Sequence, residues 1–190
     1  MKLKNDKQGW GLPSRAIHWI TAGLFLWTMG LGVYMTRFVS DPIVQFGLTQ
    51  THKSWGFLVF ALAVLRVGWL LINRTRPEPG ADAPRYESIG ARVSHAILYI
   101  GIFLLPLSGW IMSAASPLQD LLNIDNMVFD WFALPDPWVP GVKWIEEAAH
   151  LVHDVTGKVM ALTLLVHIGA ALKHHFVNKD RVLARMVKGS

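Results

Sequence analysis

Four apolar stretches constrain this chain before anything else does. They cover about 13–39, 52–72, 91–115 and 148–176, and each reaches the ~20 residues that an α-helix needs to cross a bilayer. A chain of 190 residues has no soluble core large enough to hide four such segments on every side. In lipid, the helix is the form that satisfies their backbone internally. The expected fold is therefore all-α, an integral membrane four-helix bundle forming a single domain over residues 1–190. Just over half of the residues are hydrophobic (52%) and only 16% are charged, which suits that reading. The first stretch follows a charged start, as in a secretory leader, but it is long and carries His18, Trp19 and Trp27. It reads as a retained membrane helix. The absence of cysteine excludes disulfides, cysteine-ligated iron–sulfur clusters and thioether-attached haem.

The net charge is +5. The basic residues lie at the ends of the apolar runs, so they mark orientation rather than nucleic-acid binding. Lys2, Lys4, Lys7 and Arg15 precede the first stretch. Arg74, Arg76, Arg85 and Arg92 lie between the second and third, and Lys173, Lys179, Arg181, Arg185 and Lys188 end the chain. The opposite side has only Arg37, Lys53 and Lys143, so both termini are expected to be cytoplasmic. Arg66 and Lys158 fall within apolar stretches. Of the connections, "NRTRPEPGADAPRYESIGAR" reads as an exposed polar loop and "VSDPIVQFGLTQT" as a short one. The outer loop, 116–147, is long and acidic. Its segment "PLQDLLNIDNMVFDWFAL" reads either as a short amphipathic helix on the membrane surface, acting as a lid, or as an ordinary interfacial loop.

The eight histidines carry the chemistry. His153 and His167 are fourteen positions apart, which on a helix is about 40° short of whole turns and about 21 Å of rise. They share one face, and His174, seven further on, continues the stripe. A histidine within a membrane helix is a functional candidate, or else a group hydrogen-bonding between helices. Two on one stripe with partners at matching depths favour ligation. With the topology above, His18 lies level with His167 near the inner side, and His52 lies level with His153 near the outer side. Each cross-helix pair supplies the two axial nitrogens of a six-coordinate haem b. Small residues follow these histidines by four positions (Ala22, Gly56, Gly157, Ala171), leaving room for a flat macrocycle. Tyr99 follows His95, which is therefore assigned to the haem surroundings, to a quinone site or to a structural hydrogen bond. Arg66, fourteen residues after His52, suits a haem propionate or snorkels to the headgroups. Lys158 either approaches the outer haem or snorkels outward. His150 and His175 read as interfacial.

These same segments carry a resemblance. "SRAIHWI", "THKSWGFLVFALAVLRVGW", "SHAILYIGIFLLPLSGWIMS" and "HDVTGKVMALTLLVHIGAALKHHFVNKD" resemble, in order, the four helices of the bacterial cytochrome b561 family of dihaem membrane proteins. The resemblance covers nearly the whole chain, and the last match is the most specific because it fixes four histidine spacings at once. It implies a multi-pass protein of the bacterial inner membrane with two haem b groups and iron ligated by His18, His167, His52 and His153. It also implies electron exchange with quinone, ubiquinone in some members, at a site involving His174, with His95 and Arg92 as neighbours.

Two functions follow from the resemblance. Some members oxidise superoxide at the outer face and reduce ubiquinone. The related cytochrome b subunits of formate dehydrogenases and hydrogenases relay electrons from a partner protein without being enzymes themselves. Superoxide capture calls for a cationic approach to the outer haem, whereas the loop here is acidic, with Asp120, Asp125, Asp130, Asp136, Glu146 and Glu147. Such a loop suits a lid or a docking surface for a basic partner.

Overall fold

A computed structural model describes residues 2–78, 84–136 and 141–189. The elements in chain order are α1 (Leu12–Arg37), α2 (Pro42–Ile72), α3 (Arg85–Ala114), α4 (Pro117–Leu121), β1 (Asn126–Val128), β2 (Phe132–Leu134), α5 (Lys143–Phe176) and α6 (Val182–Val187). The fold is all-α apart from one small hairpin. Helices α1, α2, α3 and α5 are each long and apolar enough to cross a membrane, yet only 6–17% of their most apolar stretches is buried. Ile20, Leu26, Leu65, Leu162 and Leu165 all stand exposed. Apolar surface on that scale is stable against lipid and not against water.

The helices outrun the hydropathy. α2 begins ten residues before the expected His52, so most of "VSDPIVQFGLTQT" is helix and not connection. Asp41 starts it, its Oδ1 accepting the N–H groups of Ile43 at 2.8 Å and Val44 at 3.2 Å, with Pro42 at the first helical position. α3 begins at Arg85 rather than 91, with the Pro84 carbonyl accepting Glu87 N–H at 3.0 Å. α5 begins at Lys143 rather than 148. The added turns of α3 and α5 carry charged residues of adequate helix propensity, whereas that of α2 mixes Ile43, Val44, Phe46 and Leu48 with glutamine and threonine.

The segment read either as a short amphipathic surface helix or as an interfacial loop is helical only over Pro117–Leu121. It then forms an antiparallel hairpin pairing Asn126 with Leu134, Met127 with Ala133 and Val128 with Phe132. The helix ends where Asn123 turns left-handed (φ 51°), and the hairpin turns on Phe129 and Asp130 at φ 48° and 57°. Three residues, 129–131, connect the paired Val128 and Phe132; the first two are left-handed, and Trp131 N–H donates to the Val128 carbonyl at 3.0 Å. Phenylalanine is unfavoured there, and its surroundings hold it. Its N–H donates to Ser54 Oγ at 2.9 Å, and its ring meets Trp55 edge-on at 4.9 Å.

The chain divides into two compact units. One comprises Met1–Thr21, Leu62–Ile100 and Val159–Ser190; the other comprises Ala22–Ala61 and Gly101–Lys158. In the first, Trp69 Nε1 donates to Ser14 Oγ at 2.8 Å, and Arg15 Nη1 and Trp19 Nε1 donate to the carbonyls of Val187 and Met186 in α6. In the second, Phe57 and Trp110 (5.6 Å) and Phe60 and Phe103 (5.8 Å) pack edge-on between α2 and α3. Buried Val59, Ile102, Ala114, Ile145 and Ala149 form its interior.

Candidate functional site

His52 and His153 belong to the second unit, each ten residues into its helix. Their ring centres stand 6.3 Å apart with the planes at 76°. His153 Nδ1 lies 2.9 Å from the Leu105 carbonyl and 3.2 Å from Ser108 Oγ. Its Nδ1–H donates to α3, which leaves the Nε2 lone pair free for a metal. His52 Nδ1 is buried without a hydrogen-bond partner among the described residues. The imidazoles rest on glycines of neighbouring helices: a Cβ on Gly32 would meet His52 Cε1 at 3.0 Å, and one on Gly109 would meet His153 Cε1 at 3.2 Å.

The first unit gathers three imidazoles. His18 and His167 have ring centres 6.5 Å apart at 60°, while His95 and His167 are 5.3 Å apart at 63°. Metal–imidazole bonds of about 2 Å on each side, plus ~1 Å from each nitrogen to its ring centre, require about 6 Å between the centres of an axial pair. The His18–His167 and His52–His153 pairs meet that distance and the His95–His167 pair falls short. Two imidazoles are an incomplete set for tetrahedral zinc and a complete axial set for macrocycle-bound iron.

The helix surface one turn beyond His52 and His153 is open. A Cβ on Gly56 would meet nothing within 4 Å, and one on Gly157 only Leu105 Cδ2 at 3.9 Å. Arg66 Nη2 lies 2.9 Å from His18 Nδ1, its Nε donates to Tyr99 Oη at 3.2 Å, and its guanidinium stands 5.1 Å from the Tyr99 ring centre. A guanidinium only donates, so this contact makes His18 Nδ1 an acceptor. An imidazole bound to iron through Nε2 carries its proton on Nδ1, and Arg66 would then turn to an anion.

His174 is boxed in. Its Nδ1 meets Asp180 Oδ2, and its Nε2 lies 3.5 Å from Glu87 Oε2. Glu87 also binds Lys173, tying the start of α3 to the end of α5. A quinone taking a hydrogen bond from His174 Nε2 must displace Glu87. Arg92, His150 and His175 are exposed. Lys158 pairs with Asp154 at 2.6 Å, one turn away on its own helix.

The sequence model of prokaryotic cytochrome b561 matches residues 9–189. This chain belongs to that family. Cytochrome b561 homolog 2 of Escherichia coli is 30% identical to it over 98% of this chain and 95% of its own length. Cytochrome b561 homolog 1 of the same organism is 26% identical, over 90% and 92%. Cytochrome b562 of Cereibacter sphaeroides is 27% identical, over 90% of each. As a family member with four membrane-crossing helices, the chain is a multi-pass membrane cytochrome b, an electron-transfer protein carrying haem b. Gly32, Gly109, Ser108, Glu87 and Asp180 are neighbours of the candidate site that the histidine pattern did not indicate. Only their contacts across helices set them apart.

Proposed function

We propose that this protein is a dihaem cytochrome b of the bacterial inner membrane, passing electrons from a donor at the outer face to the quinone pool. What carries the reading is the pair of histidine couples at 6.3 and 6.5 Å. His52 and His153 would hold an outer haem, and His18 and His167 an inner one. Both termini face the cytoplasm. Haem b, when bound, would supply one-electron chemistry. Arg66 serves a propionate of the inner haem, and Gly56 and Gly157 leave room for the outer macrocycle. Ubiquinone is reduced near the inner pair, where His174, His95 and Arg92 are the candidate contacts and His174 a proton donor.

On the donor, the surface favours a protein over superoxide. Asp120, Asp125, Asp130 and Asp136 are exposed. Lys53 is half-buried, 3.5 Å from Gln119 Oε1, and Lys143 is paired with Glu147 at 3.8 Å. Arg37 is exposed as well and Lys158 is paired with Asp154, so the four aspartates outnumber the cations free of a carboxylate partner, and a net-negative face does not steer an anion inward. It suits a basic redox partner, as for a non-enzymatic cytochrome b subunit serving a dehydrogenase or hydrogenase.

The test is haem stoichiometry of the purified protein, followed by titration with quinol and stopped-flow addition of superoxide. Two haems per chain in equilibrium with quinol, reduced slowly by superoxide, is the expected result. One haem per chain sinks the dihaem reading. Fast reduction by superoxide makes the protein a superoxide:ubiquinone oxidoreductase.

A further inference from the structure

The outer histidines share a second feature. Each presses the Cε1–Nδ1 edge of its ring onto a helix glycine: a Cβ there would lie 3.0 Å from His52 Cε1 and 3.5 Å from its Nδ1 at Gly32, and 3.2 and 3.4 Å from the same atoms of His153 at Gly109. In a helix the Cβ leans toward the N-terminus, so it would stand over the carbonyl four residues earlier. That carbonyl is Leu105 beneath His153, where the hydrogen bond is 2.9 Å. Beneath His52 the corresponding residue is Thr28, and there His52 Nδ1 makes no hydrogen bond among the described residues. The glycine contact thus occurs twice, on α1 against α2 and on α3 against α5. Gly23, Gly30 and Gly169, also helical, would meet nothing within 4 Å.

We propose that Gly32 and Gly109 are positioning residues for the outer histidine pair: by lacking a side chain they let each ring edge lie against the backbone of the neighbouring helix, and at Gly109 this brings His153 Nδ1 onto the Leu105 carbonyl, which holds the proton on Nδ1 and leaves Nε2 free for the iron. The inference rests on the outer-haem assignment above. A carbonyl acceptor on Nδ1–H makes the imidazole a stronger donor to its metal, and a stronger donor favours ferric iron. Crowding that contact raises the potential of the outer haem and leaves the inner one unchanged.

The experiment is a redox titration with low-spin electron paramagnetic resonance spectra of the full-length holoprotein and of Gly109→Ala, Gly32→Ala and the control Gly23→Ala. Alanine raises helix propensity at all three positions, and two target sites on different helices guard against one failing to fold. The expected result is a shift of one haem in each target variant by about tenfold in the ferrous/ferric ratio, about 59 mV for one electron. Its resonance signal changes too, while the control matches wild type. Loss of the outer haem alone in a target variant also supports the inference. Target variants that titrate like the control overturn it. His153→Ala, run alongside, tests the underlying assignment separately: if it retains both haems, the ligands are wrong whatever the glycine variants do.

Discussion

His52 and His153, on different helices, hold their ring centres 6.3 Å apart. That gap accommodates an iron and leaves the rings too far apart to hydrogen-bond each other. With His18 and His167 at 6.5 Å, the chain has two separate histidine pairs. Replacing His52 or His153 by alanine is expected to lower the haem content from two per chain to one, and the same holds independently for His18 or His167. A pyridine haemochrome assay against protein concentration measures this. Loss of both haems from a single replacement would show that the pairs do not act separately.

Arg66 has two donor contacts, to His18 and to Tyr99, and no carboxylate partner among the described residues. A cation among apolar helices requires an anion, and a propionate would supply one. Replacing Arg66 by methionine keeps the stem and removes the charge. A lost charge-assisted hydrogen bond costs about 1.5–3 kcal/mol, so the inner haem should bind roughly tenfold to a hundredfold more weakly. Haem transfer to an excess of an apo-globin acceptor reads this directly. Arg66→Lys should recover part of the loss, since it restores the charge and not the fork.

The four helices were legible in the sequence because apolar length alone forces them. Their ends were not. Asp41 and Pro42 signal the start of α2 plainly in "SDP", but hydropathy averages over them. The hairpin was hidden because its turn residues, Phe129 and Asp130, lack the glycine that normally marks such a turn. It depends instead on Ser54 and Trp55, far away in sequence. The histidine pairs follow from helical periodicity, since depth along a straight helix is countable. What touches each ring depends on how neighbouring helices pack. For that reason Gly32, Gly109 and the Glu87–His174–Asp180 contact emerge only in three dimensions.

Ser54 tests how the hairpin is held. It is 4% exposed. Its Oγ accepts the Phe129 N–H at 2.9 Å, and its one hydroxyl hydrogen is shared between the Gln50 carbonyl at 3.0 Å and the Met127 carbonyl at 3.3 Å. Replacing it by alanine leaves both hairpin backbone groups without these partners, at a cost of about 1–3 kcal/mol. The expected outcome is faster amide exchange over residues 126–134, with α2 still protected. Unchanged exchange there would mean that the Trp55–Phe129 contact suffices to hold the hairpin.

Asp180 gives the contacts between the start of α3 and the end of α5 a pH signature. Burial works to raise its pKa. The hydrogen bonds from Val182 N–H and His174 and the charges of His174 and Arg185 outweigh burial, so the net shift is downward from 3.8. A carboxyl whose folded pKa lies below its unfolded value contributes stability that is fully present above the unfolded value. That contribution is lost as pH falls through the folded one. The apparent thermal midpoint of the wild-type protein should therefore drop on acidification below the ordinary carboxylate range. Asp180→Asn should melt lower than wild type at neutral pH and show a flatter acid limb. The gap between the two proteins should close toward low pH, where wild-type Asp180 is itself uncharged. A constant gap across the series would mean that Asp180 acts through its N–H contacts alone and that its charge contributes nothing to holding His174.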